Sequence, residues 1–85
     1  MKEKDLTALG FKRTDVTAEE SGYETDWYYY SYTFGTGAIC LITNYSTEIE
    51  KDEWYVEVLE DETIRFTNTS DIIDLINLIK RNETR

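Results

Sequence analysis

The chain has 85 residues, of which 40% are hydrophobic and 14% aromatic, and it contains one cysteine and no histidine. Its 18 acidic and 9 basic residues give a net charge of −9. This charge argues against direct binding to nucleic acid or to an anionic membrane surface, because neutralising phosphates requires clustered Lys and Arg. A single cysteine forms no internal disulfide, and without histidine the chain cannot use a histidine-based catalytic triad.

The length and the hydropathy of the chain predict one domain, residues 1–85, without a membrane span. No segment approaches the roughly 18 consecutive apolar residues that cross a bilayer. The first residues, MKEKDLTALGF, contain no apolar run typical of a signal peptide. We therefore expect a cytoplasmic location.

Two short elements are predicted at the start of the chain. Residues 2–9 favour a short helix that ends at Gly10, because glycine is a common C-terminal cap. Residues 11–17 alternate loosely between apolar and polar types and predict a strand. The basic pair Lys12 and Arg13 suits an edge position, where charged side chains discourage edge-to-edge pairing.

A β-hairpin from Trp27 to Tyr45 is the centre of the predicted sheet, and a polar loop at residues 18–26 precedes it. Aromatic and β-branched side chains favour strands because they pack on a half-buried pleated surface. Successive side chains of a strand point to opposite faces. We assign the more continuous aromatic set to the core: Tyr28, Tyr30, Tyr32 and Phe34. The opposite face then carries Trp27, Tyr29, Ser31 and Thr33.

The segment Gly35–Gly37 forms the predicted turn of this hairpin, since glycine accepts positive φ without a steric penalty. Both a two-residue loop at Gly35-Thr36 and a three-residue loop with Gly37 in the left-handed region fit the sequence. The choice shifts the register by one residue. It therefore decides which pair of side chains faces the core, Ile39 and Leu41 or Cys40 and Ile42.

The second half of the sheet is predicted from two alternating segments. Residues 53–59 indicate a strand, residues 60–62 a turn, and residues 63–67 a last strand that buries Ile64 and Phe66. Alternation in the first of these strands places one set toward the core, Trp54, Val56 and Val58. It places the other set on the opposite face, Tyr55, Glu57 and Leu59.

A C-terminal helix capped by Ser70 completes the predicted fold. Its apolar stripe has the i, i+3, i+4, i+7 spacing of one helical face, widened by Ile73 and Leu78: Ile72, Leu75, Ile76 and Ile79. We expect this helix to cover the face of the sheet that carries Tyr28, Tyr30 and Tyr32. The elements together predict an α+β fold with two layers: a four- to five-stranded antiparallel meander, a short N-terminal helix, and an amphipathic C-terminal helix packed on one face.

The acidic segment from Glu48 to Glu62 is the most distinctive polar feature, with eight acids and Lys51 as its only base. One interpretation is a surface that imitates nucleic acid and blocks a DNA-processing or defence enzyme. The other is a charged rim that keeps the protein soluble. Paired carboxylates can also support glycoside hydrolysis, so a small carboxylate-dependent enzyme is a further alternative. Cys40 lies inside a strand and is interpreted as a small apolar residue.

Exposed aromatic residues provide a second interaction signal, since Trp and Tyr dominate interface hot spots. We predict a non-enzymatic protein-interaction module with a protein partner, a basic one being favoured by the charge. We assign no catalytic, cofactor-binding or metal-binding residues. Self-association through the same face, as a homodimer, and a covering loop or helix are the alternatives left open. The predicted partner-binding residues are Trp27, Tyr29, Tyr55, Glu48, Glu50, Asp52 and Glu57.

The segments WYVEVLEDETIRFTNTSDIIDLINLIKRN and YYYSYTFG resemble small uncharacterised acidic proteins encoded by bacteriophages and prophages. The resemblance is a pattern of elements: a strand with a tryptophan, an acidic turn, a second strand and an apolar C-terminal helix. It implies a phage accessory protein that acts in the host cytoplasm and binds or inhibits a host protein. It assigns no functional residue.

Overall fold

A computed structural model of the chain describes residues 1–22, 24–35, 37, 39–59 and 61–83. Three α-helices lie in these ranges: α1 (Glu3–Leu9), α2 (Ala18–Ser21) and α3 (Thr69–Arg81). Five strands lie there as well: β1 (Lys12–Val16), β2 (Trp27–Phe34), β3 (Ile39–Thr43), β4 (Val56–Val58) and β5 (Asp61–Phe66). A 3-10 helix, Ser46–Glu48, follows β3.

The five strands form one antiparallel sheet in the order β1-β2-β3-β4-β5, so each strand pairs with its neighbour in the chain. This arrangement confirms the predicted α+β meander with a helix near each end. β1 and β5 are the two edges of the sheet, as expected for β1. Among the described residues, no helix combines the length and the apolar character needed to cross a membrane.

The register of the central hairpin shows which side chains of β3 face the core, a choice that the glycine-rich turn left open. Tyr32 pairs with Leu41 and Phe34 with Ile39, so Ile39 and Leu41 share the face of the core tyrosines. The backbone N–H of Gly37 donates to the carbonyl of Phe34 at 2.8 Å, with Gly37 at φ +93°. The loop type itself depends on residues 36 and 38, which lie outside the described residues.

The hydrophobic core lies between the sheet and helices α1 and α3. Within the described ranges, nine buried side chains form it: Leu6, Phe11, Tyr30, Phe34, Leu41, Trp54, Val56, Ile72 and Ile76. Helix α3 lies on the face of the core tyrosines, as predicted, and α1 shares this face. Glu3 in α1 accepts hydrogen bonds from the hydroxyls of Tyr28 and Tyr30, while Lys80 in α3 lies 5.6 Å from the ring centre of Tyr32.

Helix α3 differs from its prediction at its start and in its width. Asn68, not Ser70, is the cap, because its side-chain oxygen accepts hydrogen bonds from the backbone N–H (2.9 Å) and the hydroxyl (2.8 Å) of Ser70. Ile72 and Ile76 are buried, whereas Leu78 is 50% exposed and Ile73 is 42% exposed. The apolar stripe that contacts the core is therefore narrower than the sequence pattern suggests.

Strands β4 and β5 also depart from their predicted limits. β4 begins only at Val56, because the backbone N–H of Tyr55 donates to the side chain of Asn44 instead of joining the sheet. β5 begins at Asp61, inside the expected turn, and the β4–β5 register shifts between Glu57 and Val58. Ile64 lies on this irregular edge strand and is 43% exposed, so the prediction that it is buried is wrong.

The predicted loop at residues 18–26 contains the single-turn helix α2. Thr17 caps it, since its hydroxyl accepts a 3.2 Å hydrogen bond from the backbone N–H of Glu20. Gly22 ends the helix at φ +77°. The aspartate that closes the loop, Asp26, accepts a 2.8 Å hydrogen bond from the N–H of Ala18 and so ties this segment to the start of β2.

Candidate interaction surface on the open face of the sheet

The two faces of the sheet differ sharply in burial. Helices α1 and α3 lie on one face, and the other, which we call the open face, has no fully buried strand residue in the described part of the chain. Alternation along the paired strands assigns the residues of the open face. They include Thr14, Trp27, Tyr29, Ser31, Cys40, Ile42, Glu57 and Arg65.

An aromatic cluster of Trp27, Tyr29 and Tyr45 occupies one end of the open face. The ring centres of Trp27 and Tyr45 are 4.4 Å apart, and Tyr29 lies 5.9 Å from Trp27 and 6.0 Å from Tyr45. Tilted contacts at these distances are favourable arrangements for aromatic rings. Tyr45 is 37% exposed, whereas Trp27 and Tyr29 are half-buried, so the cluster presents mainly the ring of Tyr45 to solvent.

Tyr45 is the member of the aromatic cluster that sequence reasoning missed. It follows the end of β3, where strand alternation no longer assigns a side chain to a face. Its extended backbone instead leads into the 3-10 helix, and its N–H donates a 3.0 Å hydrogen bond to Oε1 of Glu48. The sequence carried no clear signal for this turn, because the capping pattern expects Ser or Thr where Tyr45 stands, and only the acid three positions later, Glu48, fits it.

A polar group built from Tyr55, Glu57 and Arg65 lies on the β4–β5 side of the open face. Glu57 and Arg65 are cross-strand partners, with a 3.1 Å ion pair from Nε to Oε1. The guanidinium carbon of Arg65 lies 4.5 Å from the ring centre of Tyr55, a cation–π geometry. These contacts fix three side chains of different chemistry on one short stretch of surface.

The hydroxyl of Tyr55 keeps its proton at neutral pH. Burial raises the pKa of Tyr55 above its ordinary value of 10.0, and the carboxylates of Glu48 and Glu57 raise it further, against the opposing effect of Arg65. A protonated phenol donates a hydrogen bond. Its partner on this surface is the carboxylate of Glu57, and this hydrogen bond also raises the pKa of Tyr55.

A groove of about 570 Å³ connects the aromatic cluster with the polar group. Tyr45 and Glu48 line one part of it, and Tyr55, Glu57 and Arg65 another. Leu59, also in its lining, is 48% exposed and adds apolar surface. The groove therefore combines aromatic walls with two carboxylates, of which Glu57 is paired with Arg65 and Glu48 is not in a salt bridge with it. Such a lining is suited to a side chain with an apolar body and a cationic end.

The structure brings most of the predicted partner-binding residues together on this surface. Trp27 and Tyr29 belong to the aromatic cluster, and Tyr55, Glu48 and Glu57 line the groove. Glu50 lies next to it, in a second groove of about 510 Å³ that also contacts Glu48 and Tyr55.

Asp52 is the exception among the predicted binding residues. Its Oδ1 accepts hydrogen bonds from the backbone N–H of Glu3 (3.1 Å) and from Nε1 of Trp54 (3.0 Å). Both partners belong to the helix side of the molecule, since Trp54 is part of the core. The structure therefore places Asp52 at the junction of α1 and the core rather than on the open face.

The remaining reactive groups of the open face have ordinary surroundings. Cys40 is half-buried, and the hydroxyl of Thr33 lies 3.8 Å from its sulfur. In the described ranges, no three His, Cys, Asp or Glu side chains are grouped closely enough to hold a metal ion.

Comparisons with family models, curated proteins and solved structures found no match to this chain.

Proposed function

We propose that this chain is a non-enzymatic protein-interaction module that binds a basic segment of a protein partner on its open face. The observation that carries the proposal is the aromatic cluster of Trp27, Tyr29 and Tyr45 beside an acid-lined groove. Contiguous exposed apolar area marks interaction sites on soluble proteins, and Trp and Tyr supply much of the binding energy at interfaces.

The acids around the groove define the chemistry of the partner. Glu48 and Glu57 line it, Glu50 lies in the adjacent groove, and Glu24 lines a third groove together with Tyr45 and Glu48. Arg65 already shows how a guanidinium fits over Tyr55 on this surface. An Arg or Lys side chain of the partner would make the same kind of contact, and the net charge of −9 accelerates its approach.

In this proposal the chain is a phage-type accessory protein, and its partner is a host protein. The support for this part of the proposal is the pattern of elements in residues 54–82, which resembles that of acidic proteins encoded by phages. A small interaction module suits such a role, since binding alone is enough to inhibit or redirect a host enzyme.

A second candidate function is inhibition by imitation of nucleic acid. The supporting observation is the run from residue 14 to residue 50, which contains no basic residue. Its acids Glu19, Glu20, Glu24 and Asp26 are all exposed. Carboxylates on such a surface can occupy a groove that binds phosphates, and binding would then weaken steeply with salt.

Capture of host proteins by the parent chain and by matched variants tests the proposal. Tyr45→Ala removes an exposed ring of the aromatic cluster, and Ile73→Ala removes a comparable exposed side chain from α3, away from the open face. We expect a basic partner that the parent and Ile73→Ala retain at high salt and that Tyr45→Ala loses. Binding that survives Tyr45→Ala contradicts the proposal. A partner released by salt and displaced by duplex DNA favours the second candidate.

A further inference from the structure

β1 is a free edge of the sheet with unusually regular geometry. It pairs with β2 over five residues without a register shift, and residues 12–15 are exposed. The opposite edge, β5, carries the register shift next to Glu57 and Val58. A regular, exposed edge is the kind of strand to which another strand adds.

Two hydrogen bonds on the β3 side of β2 indicate which backbone groups of β2 face β1. The N–H of Tyr28 donates to the hydroxyl of Ser46, and the N–H of Tyr30 donates to the hydroxyl of Thr43, both at 2.9 Å. Both acceptors lie on the β3 side of β2. Since successive backbone N–H groups of a strand point to opposite sides, the N–H of Tyr29 faces β1.

The outward-facing groups of β1 follow from this assignment. Thr14 is the partner of Tyr29, so its N–H and C=O face β2. Its two neighbours, Arg13 and Asp15, therefore point their N–H and C=O groups away from the sheet. These groups of Arg13 and Asp15 are the ones that an added strand would use.

We propose that β1 pairs with β1 of a second copy of the chain, in antiparallel orientation and centred on Thr14. In this register Arg13 of each copy lies opposite Asp15 of the other, and all of their outward N–H and C=O groups form hydrogen bonds. Centring on Arg13 would place two arginines opposite each other, and centring on Asp15 two aspartates. Like charges directly opposite are destabilising, so of these three registers only the one centred on Thr14 is self-complementary. It also avoids the repulsion by which Lys12 and Arg13 discourage other edge-to-edge pairings, because Arg13 lies opposite Asp15 and Lys12 opposite Val16.

The side chains of Arg13 and Asp15 are already arranged for this pairing. They form an ion pair of 2.8 Å within one strand, and their side chains are 46% and 66% exposed. The guanidinium carbon of Arg13 lies 3.7 Å from the ring centre of Tyr28, which holds it on the helix side of the sheet. In the dimer, the two ion pairs would form a group of four charges of alternating sign across the two-fold axis.

The dimer goes beyond the proposed partner binding, because it uses a different surface. It would join two five-stranded sheets into one of ten strands, with the two open faces side by side. Two grooves on one particle allow a partner with repeated basic segments to bind with higher avidity. A contact of one short strand buries little area, so we expect a dimer that forms in a concentration-dependent way.

Sedimentation velocity of the full chain over a range of concentrations tests the proposal. Asp15→Arg and Arg13→Asp each place like charges opposite each other, so each should weaken self-association by about tenfold or more. A mixture of the two variants restores opposite charges at every position and should form a heterodimer. Asp74→Arg and Arg81→Asp make the same charge changes at exposed sites of α3 and should leave the parent behaviour unchanged.

Oxidative cross-linking tests the register. Thr14 would face its own copy in a non-hydrogen-bonded pair, where side chains are closest. In a Cys40→Ser background, Thr14→Cys should therefore form a disulfide-linked dimer, whereas Lys12→Cys should not. The proposal is overturned by a parent chain that stays monomeric at all concentrations, by a dimer that Asp15→Arg leaves intact, by variants that do not associate when mixed, or by cross-linking at Lys12→Cys instead of Thr14→Cys.

Discussion

Tyr30 donates a 2.7 Å hydrogen bond from its hydroxyl to Oε2 of Glu3, across the contact between the sheet and α1. The hydroxyl of Tyr28 donates to the other oxygen of the same carboxylate at 3.0 Å. Helix α1 has only seven residues, a length at which a helix is marginal without packing. The shared carboxylate, together with the buried side chain of Leu6, holds it on the core.

Replacement of this carboxylate should lower the stability of the protein. In Glu3→Gln, the amide nitrogen cannot accept a hydrogen bond, so one tyrosine hydroxyl loses its acceptor. We expect a loss of about 1–3 kcal/mol in the free energy of unfolding, measured by urea denaturation. Lys4→Gln, at an exposed position of the same helix, is the control and should have little effect. Equal losses in the two variants would contradict the role given to Glu3.

The two tyrosines should also make the protein sensitive to alkaline pH. Burial raises the pKa of Tyr28 and of Tyr30 above the ordinary value of 10.0, and the hydrogen bond to Glu3 raises both further. In the unfolded chain these phenols ionise first, so ionisation favours unfolding. Their contribution to stability is therefore fully present below about pH 10 and is lost as the pH rises through the folded-state pKa.

Urea denaturation at several pH values above and below 10 measures this effect. The double variant Tyr28→Phe/Tyr30→Phe has no phenol at either position, so its stability should fall less steeply with alkaline pH than that of the parent. The change of the free energy of unfolding with pH is compared rather than its absolute value, since the variant also loses two hydrogen bonds. A parent and a double variant with the same slope would show that these two tyrosines are not the source of the dependence.

A pair of leucines on adjacent segments of the sheet tests the assignment of its faces. Leu41 is fully buried between the sheet and the helices, whereas Leu59 is 48% exposed beside the groove. Leu41→Ala should cost about 2–5 kcal/mol of stability because it leaves a cavity. Leu59→Ala should change stability by only about 0.5 kcal/mol. Thermal unfolding measures the stability of both variants. A similar loss of stability in Leu41→Ala and Leu59→Ala would contradict the hairpin register.

The features that could be predicted from the sequence are those set by local periodicity. Alternation in β2 assigns Tyr30 to the core and Tyr29 to the opposite face, because side chains of a strand point to alternate sides whatever the partner strands are. The helical spacing of Ile72 and Ile76 likewise predicts their burial. Gly10 ends α1 at φ +97°, as expected for a glycine cap.

The features that could not be predicted depend on contacts between distant residues. Ile64 fits the alternating pattern of a buried position, but the register shift on an edge strand leaves it exposed. Tyr45 joins the candidate surface only because the chain turns after β3. The carboxylate of Asp52 meets the N–H of Glu3, 49 residues away in the chain, and no local pattern indicates that contact.

Asp52 should therefore affect stability more than partner binding. Its φ is +56°, and its Oδ1 accepts hydrogen bonds from the N–H of Glu3 and the indole of Trp54. Asp52→Ala loses both bonds and should cost about 1–3 kcal/mol, measured by urea denaturation. Asp52→Asn keeps an oxygen acceptor and a side chain that tolerates the left-handed region, so most of the stability should remain.

Lys51→Ala is the matched control for Asp52→Ala, because Lys51 also has φ +56°. Lys51 accepts a hydrogen bond from Nζ of Lys2 through its backbone carbonyl, which the alanine variant keeps. Any cost of placing alanine in the left-handed region is common to both variants, and the difference between them measures the two side-chain bonds. Asp52→Asn should also bind the partner of the open face as tightly as the parent does. If Asp52→Ala were as stable as Lys51→Ala but bound the partner more weakly, the structural role of Asp52 would be contradicted and its predicted role in partner binding supported.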